Sequence, residues 1–188
     1  MAHIEVIDEA DATGELAALY RRFGNPDGTV DNVLKAHSLN PESLAAHCAL
    51  YVQSMHRPSP VSRVEREMIG VTVSRLNGCA YCLRHHGAGL RRLLPEARER
   101  VASDVATGRY ERLTARERAM CLHAEAITTR PGAITAESLA PLREQGVTDR
   151  EILDVTQVAA YFAYANRVVL ALGAALESED ALGQWPAQ

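Results

Sequence analysis

Lysine is nearly absent from this 188-residue chain: Lys35 is the only one, and arginine supplies the remaining basic residues. Acidic residues outnumber basic ones, 24 to 20, for a net charge of −4. No global positive field exists to attract a polyanion, which argues against nucleic-acid binding. The preference for arginine reads as composition bias, not as a phosphate-binding design. Aromatic residues are also scarce, 5% against a hydrophobic share of 47%. The apolar mass is mostly Ala, Leu and Val, which suits close-packed helices better than a β-sandwich. No convincing period-two alternation signals a strand. The first residues, Met1 to Asp8, lack a basic stretch followed by an apolar one, so no secretory leader is expected there. The longest apolar-rich segment, Val155 to Leu176, is interrupted by Thr156, Gln157, Asn166 and Arg167. A mid-span arginine is costly in lipid, so a core or subunit-interface helix is expected and a membrane span is not. Four cysteines without an export signal do not make a disulfide framework; in a reducing, cytoplasmic setting they point to redox or metal chemistry.

What is present is helix punctuation. Thr13 can cap a helix running to Phe23, which Gly24-Asn25-Pro26-Asp27-Gly28 ends. Asn40-Pro41 is a cap with proline in the first turn, opening a helix to about Met55. Ser62-Arg63-Val64-Glu65, Thr114-Ala115-Arg116-Glu117 and Thr148-Asp149-Arg150-Glu151 are capping boxes. They are expected to open helices to about Leu76, Thr128 and Leu176. A helix from about Cys79 to Leu94 follows Asn77-Gly78. Glu96 to Ala106 continues after Pro95, and Thr135 starts a short helix ending at Gly146. The predicted fold is all-α, a helical bundle of one domain over 1–188, which at this length can bury a core without staples. The start Val64-Glu65-Arg66-Glu67-Met68 resembles Arg116-Glu117-Arg118-Ala119-Met120. That suggests an internal duplication, with one helical unit near 62–94 and a diverged one near 114–176. Gln184-Trp185-Pro186 reads as a peripheral tail.

The chemistry concentrates in Asn77-Gly78-Cys79-Ala80-Tyr81-Cys82-Leu83-Arg84-His85-His86. A CxxC pair at a helix start places thiols beside free backbone N–H groups and the positive end of the dipole, which favour a thiolate. That consideration alone makes Cys79 the more acidic thiol. His86 projects within about 20° of Cys79 and about 40° of Cys82, whereas His85 points about 60° beyond Cys82 on the far side from Cys79. His86 is the better proton partner, and His85 is expected to face solvent or a neighbouring subunit. Of two carboxylates on the preceding helix, Glu65 has a structural task in the Ser62 box. Glu67 has none and borders the apolar arc, so by elimination it is the candidate to orient His86. Tyr81, between the cysteines, is a candidate proton donor with packing as the plainer reading. Cys48 and Cys121 read as core thiols, and His47 and His123 as satisfied structural histidines. A zinc site formed by the CxxC pair with His86 and Glu67 is an alternative, although the spacing is not a common structural one. Haem attachment is excluded because Leu83 follows Cys82.

Glu67, Cys79-Ala80-Tyr81-Cys82 and His86 together resemble the alkylhydroperoxidase D-like branch of the carboxymuconolactone decarboxylase family, and more closely its peroxidase-related group. The resemblance extends to Ile4–Tyr20, to Gly146-Val147-Thr148-Asp149 and to Tyr161–Gly173 with Asn166-Arg167. It implies an all-α fold of related helical units, assembled as homotrimers or homohexamers. It also implies peroxide reduction through a redox-active Cys79–Cys82 disulfide, without a cofactor. In that scheme Cys82 attacks, Cys79 resolves, Glu67 and His86 relay protons, and a dithiol, lipoyl-bearing or thioredoxin-like protein returns the electrons. Tyr81 stands where better-studied members carry a histidine. Two other functions remain open at this point. One is a lactone decarboxylase-type lyase, a branch that generally lacks CxxC. The other is a non-catalytic oligomeric protein that binds or senses through thiol oxidation.

Overall fold

The structure, a computed structural model, describes residues 2–183; the segment Gln184-Trp185-Pro186 lies outside them. Among the described residues there is no strand, and nine α-helices are joined by short 3₁₀ turns. They are α1 (Gly14–Phe23), α2 (Asn32–Lys35), α3 (Pro41–Met55), α4 (Arg63–Leu76), α5 (Ala80–Leu93), α6 (Arg100–Ala106), α7 (Ala115–Thr129), α8 (Ala140–Glu144) and α9 (Asp149–Leu172).

The starts follow the local chemistry. Asn40 accepts a hydrogen bond from the Ser43 amide, with Pro41 in the first turn. All three capping boxes close in both directions, at the starts of α4, α7 and α9. Each satisfies amide donors that a helix start would otherwise leave bare. Thr13 precedes α1 without a side-chain cap bond. Two expectations need correction, and one helix was not expected. α9 stops at Leu172, not Leu176, because Gly173 takes a left-handed conformation with φ 67°, which glycine adopts without steric cost. The helix expected from Thr135 to Gly146 is a 3₁₀ turn, Glu137–Leu139, followed by the five-residue α8. The four-residue α2 went unforeseen, being too short to show a period.

α4 is the axle of the bundle. Every residue from Glu65 to Ser74 is buried. One side contributes Ile69 and Val73 to a cluster with Met55, Met120, Val158 and Phe162. The other side contributes Met68 and Val71 to a second cluster with Leu90, Val105 and Cys121. Contacts with α9 advance four residues on each helix, from Gly70 beside Phe162 to Ser74 hydrogen-bonded by Asn166. The two helices therefore run parallel. Arg116 of α7 fastens their starts, reaching Glu65 with Nε and Glu151 with a terminal nitrogen, each at 2.7 Å. The box carboxylates of α4 and α9 thus share one guanidinium. A third cluster joins Leu16, Tyr20, Val33, Leu44 and Cys48 to Cys79, Tyr81 and Cys82.

Gly70 is the tightest point of the α4–α9 contact, since a Cβ there would overlap the Phe162 ring. Gly70→Ala is expected to lower stability by about 1–3 kcal/mol through overpacking, measured by urea unfolding. Phe162→Leu in the same chain should recover part of the loss.

Candidate active site

The turn between α4 and α5 sets the position of the first thiol. Asn77 ends α4, Gly78 reverses the chain with φ 67°, and the Cys79 amide donates to the Ser74 carbonyl at 2.9 Å. Cys79 therefore stands at the cap position of α5, one residue before the helix proper. Its side chain makes no cap hydrogen bond to the α5 amides, and the Cys82 thiol is the neighbour that acts on it most strongly. Cys79 is fully buried and Cys82 is 5% exposed, so the only solvent access to the pair is at Cys82. The hydrogen bond from Cys82, followed by the helix-end amides, outweighs burial and brings the Cys79 thiol down to about 7. The same bond, reinforced by burial, holds the Cys82 proton in place and pushes that thiol well up. Of the two thiols, Cys79 is thus the one that ionises first in the reduced state.

One turn beyond Cys82, His86 shares its face of α5. Its Nδ1 lies 2.7 Å from Oε2 of Glu67. With Nδ1–H directed at the carboxylate, Nε2 becomes the proton-accepting nitrogen. The other oxygen, Oε1, accepts from Nε and a terminal nitrogen of Arg63 at 3.0 and 2.7 Å. Glu67 is 1% exposed. Burial would raise its pKa, but the charges and hydrogen bonds of His86 and Arg63 prevail and hold it below the usual carboxylate range. The imidazole is wedged edge-on against Phe162, ring centroids 4.5 Å apart, with Tyr51 6.4 Å away. The structure therefore brings His86 to Glu67, with the two cysteines earlier along the start of α5, and Glu65 is engaged with Ser62 and Arg116 as its box role requires.

Two other readings of this segment change. His85 faces neither solvent nor a partner: it is 1% exposed, and its Nε2 lies 2.6 Å from Glu177. The chain after Gly173 folds back over α5 and brings Glu177 there, an arrangement no local pattern announces. Tyr81 stacks on His85 at 4.5 Å, donates to Glu177 at 2.9 Å and accepts from the Val33 amide at 3.3 Å. Its hydroxyl is thus committed to the back of α5, away from the thiol–imidazole–carboxylate set.

The remaining candidates divide. Cys48 and Cys121 are buried, and burial pushes both thiols up to about 12. His123 is buried beside a cavity lined by Ala119, Arg130 and Ile134. His47 is not fully satisfied. Its Nε2 meets the Tyr161 hydroxyl at 3.4 Å, but Nδ1 has no hydrogen-bond partner among the described residues. Burial, with the nearby His37, takes its pKa down to about 3. Among the described residues, no three His, Cys, Asp or Glu side chains are grouped to hold a metal ion, which counts against a zinc site at the CxxC. Nor is any described helix long and apolar enough to cross a membrane. Sequence reasoning missed Arg63, visible only as a box residue, and Asn166, visible only as a polar interruption in an apolar helix.

The carboxymuconolactone decarboxylase family pattern matches residues 41–99, the stretch that holds Glu67, Cys79, Cys82 and His86. A peroxidase-related protein from Silicibacter sp. TM1040 is 37% identical, over 81% of this chain and 79% of that one, with a TM-score of 0.75. This chain belongs to the alkylhydroperoxidase D-like carboxymuconolactone decarboxylase family. Another member of this peroxidase-related group, an alkylhydroperoxidase AhpD core from Ralstonia eutropha JMP134, superposes with a TM-score of 0.85. It is 27% identical, over 95% of this chain and 93% of its own. YdfG of Bacillus subtilis strain 168 is 25% identical over 117 residues, 62% of this chain and 79% of that protein.

In this AhpD-like protein the ionised Glu67 should be visible in the stability. Its folded pKa lies below the ordinary glutamate value of 4.5, so its contribution is complete above that value and disappears as pH falls through the folded pKa. Glu67→Gln is expected to cost roughly 3 kcal/mol at pH 7, because Arg63 loses its charge partner. The gap to the unsubstituted protein should narrow below pH 4.5, as measured by denaturant unfolding at a series of pH values.

Proposed function

We propose that this protein is a thiol-dependent peroxidase-like oxidoreductase that reduces organic hydroperoxides through a reversible Cys79–Cys82 disulfide. The observation that carries this reading is the buried His86–Glu67 pair, 2.7 Å apart, with His86 one turn beyond Cys82 on α5. Cys82 is the attacking sulfur, since what exposure the pair has lies there. As peroxide enters, the Cys82 proton passes to Cys79, and the Cys82 thiolate attacks the terminal peroxide oxygen. The O–O bond breaks, Cys82 becomes a sulfenic acid, and the alkoxide leaves with the proton that Cys79 had given to Nε2 of His86 on ionising, an imidazolium that Glu67 stabilises. Cys79 then gives its proton back to His86 and attacks the Cys82 sulfur; the departing hydroxide takes that proton and leaves as water. Two thiols and one hydroperoxide have become one disulfide, one alcohol and one water.

An external dithiol, of lipoyl or thioredoxin-like chemistry, restores the pair by exchange. Such turnover suits a reducing, cytoplasmic setting, and all four cysteines are free thiols. The assembly proposed is a homotrimer or homohexamer. Leu153, Tyr164 and Leu170 of α9, with Leu50 of α3, are large apolar residues left exposed on a single chain, in keeping with burial between copies.

The reduced protein should consume cumene hydroperoxide in the presence of a dithiol. Cys82→Ser should abolish consumption. Cys79→Ser should stop after one turnover with a dimedone-reactive sulfenic acid at residue 82. Activity unchanged in Cys82→Ser would end this reading.

A further inference from the structure

Sequence reasoning made His123 a satisfied structural histidine; in the fold it is not one. Its side chain is buried on α7, 6% exposed, yet it makes no hydrogen bond, ion pair or ring contact among the described residues. Burial lowers its pKa, and no neighbouring carboxylate opposes that. At neutral pH it is therefore an uncharged imidazole with one N–H donor and one acceptor to offer. A polar group at this depth is costly when left unanswered. The ring lines a cavity of about 390 Å³ between α7 and the chain that returns from Arg130 to α8. Small-molecule sites span roughly 300–1,000 Å³. Ala126, on the same side of α7, is small enough to leave the floor open, and Ile134 and Leu142 make the facing wall apolar. Ser138 also lines the cavity, but its hydroxyl accepts from the Thr135 amide at 3.1 Å. Arg130, exposed at the end of α7, is the one charged residue among those lining the cavity, and it has no ion pair among the described residues. The cavity shares no residue with the thiols or with the His86–Glu67 pair.

We propose that this cavity binds a small oxygenated monocarboxylic acid, with its carboxylate on Arg130, a hydroxyl or carbonyl oxygen on His123 and its hydrocarbon between the apolar walls. Each part of the ligand answers one feature of the lining. A single guanidinium with no acid beside it matches one negative charge, and its fork matches the two oxygens of a carboxylate. A dianion such as phosphate exceeds that charge and leaves the apolar walls bare. Arg130 is exposed and His123 buried, so the charged end lies at the rim and the uncharged polar end inside. Arg130 follows His123 by seven residues, about 10 Å along a helix axis. A chain of about eight carbons spans that separation. The buried imidazole, being uncharged, is suited to a neutral oxygen and not to a second carboxylate.

The test is isothermal titration of the reduced full-length protein at pH 7 with two probes, sodium ω-hydroxyoctanoate and sodium octanoate. The hydroxylated probe should bind roughly fivefold tighter, the effect of one added hydrogen bond. Arg130→Gln should weaken both probes by about tenfold, as expected for a lost bond to a charged group. Arg130 is exposed, so this change leaves the core untouched. His123→Phe keeps a ring of similar shape and removes its polar atoms. It should weaken ω-hydroxyoctanoate to the level of octanoate and leave octanoate itself unchanged, a difference that a merely structural role of His123 does not produce. If His123→Phe does not fold, the comparison of the two probes on the unsubstituted chain reads the same contact. Ala126→Leu, at a half-buried position, should fill the cavity and abolish binding of both. Absence of binding, equal affinity for the two probes, or affinities unmoved by Arg130→Gln or by Ala126→Leu would overturn the proposal. No peroxide enters the titration, so a protein inactive toward hydroperoxides that still binds the probes as described removes only the peroxidase reading.

Discussion

Burying an ionised carboxylate is costly unless both oxygens are answered, and in Glu67 both are: Arg63 takes one and His86 the other. This arrangement is what the rest of the site leans on. Arg63 and Glu67 are one turn apart on α4, so their pairing is built into that helix. His86 comes from α5, so the imidazole can reach Glu67 only if the turn at Asn77-Gly78 brings α5 back along α4. Phe162 then closes the third side from α9, in the contact that Gly70 leaves room for. The buried charge therefore fixes the imidazole's orientation, and the helix packing fixes the charge.

The two sulfurs obey a different rule. Cys79 sits where helix-end amides gather, and Cys82 lends it a proton. This lowers one thiol and raises the other, so that Cys79 ionises first. Acidity and accessibility fall on different cysteines, because the better-stabilised sulfur is the fully buried one. A relay that moves the proton between them is how such a pair could use both properties. Dipole reasoning, which follows acidity, pointed to Cys79, and the family resemblance pointed to Cys82, the thiol with the greater exposure.

Much of the fold was legible because its signals are local. Three boxes of the Ser62–Glu65 type, the Asn40-Pro41 start and the Asn77-Gly78 stop act within four residues, and each appears where the pattern put it. The relation of His86 to the thiols is likewise a matter of helical angle. Glu67 emerged by elimination, since Glu65 had a nearby task. The rest depends on contacts across the chain. His85 was misread because Glu177, some ninety residues on, folds back to meet it. Tyr81 is held by that same carboxylate. Asn166 was noticed as a polar interruption in an apolar helix, but its partners, Ser74 and Asn77, lie at the far end of α4. Composition argued against a polyanion partner; it carried no trace of these encounters.

The central claim is that Cys79 and Cys82 form one redox unit while Cys48 and Cys121 remain inert in the core. The most direct measurement is peptide mass spectrometry after one equivalent of tert-butyl hydroperoxide is added to the fully reduced protein. The account predicts loss of two hydrogens confined to the peptide spanning residues 79 and 82, reversed by a dithiol, with Cys48 and Cys121 still alkylated as free thiols after denaturation. An unchanged 79–82 peptide, or oxidation appearing first at Cys48 or Cys121, would contradict it.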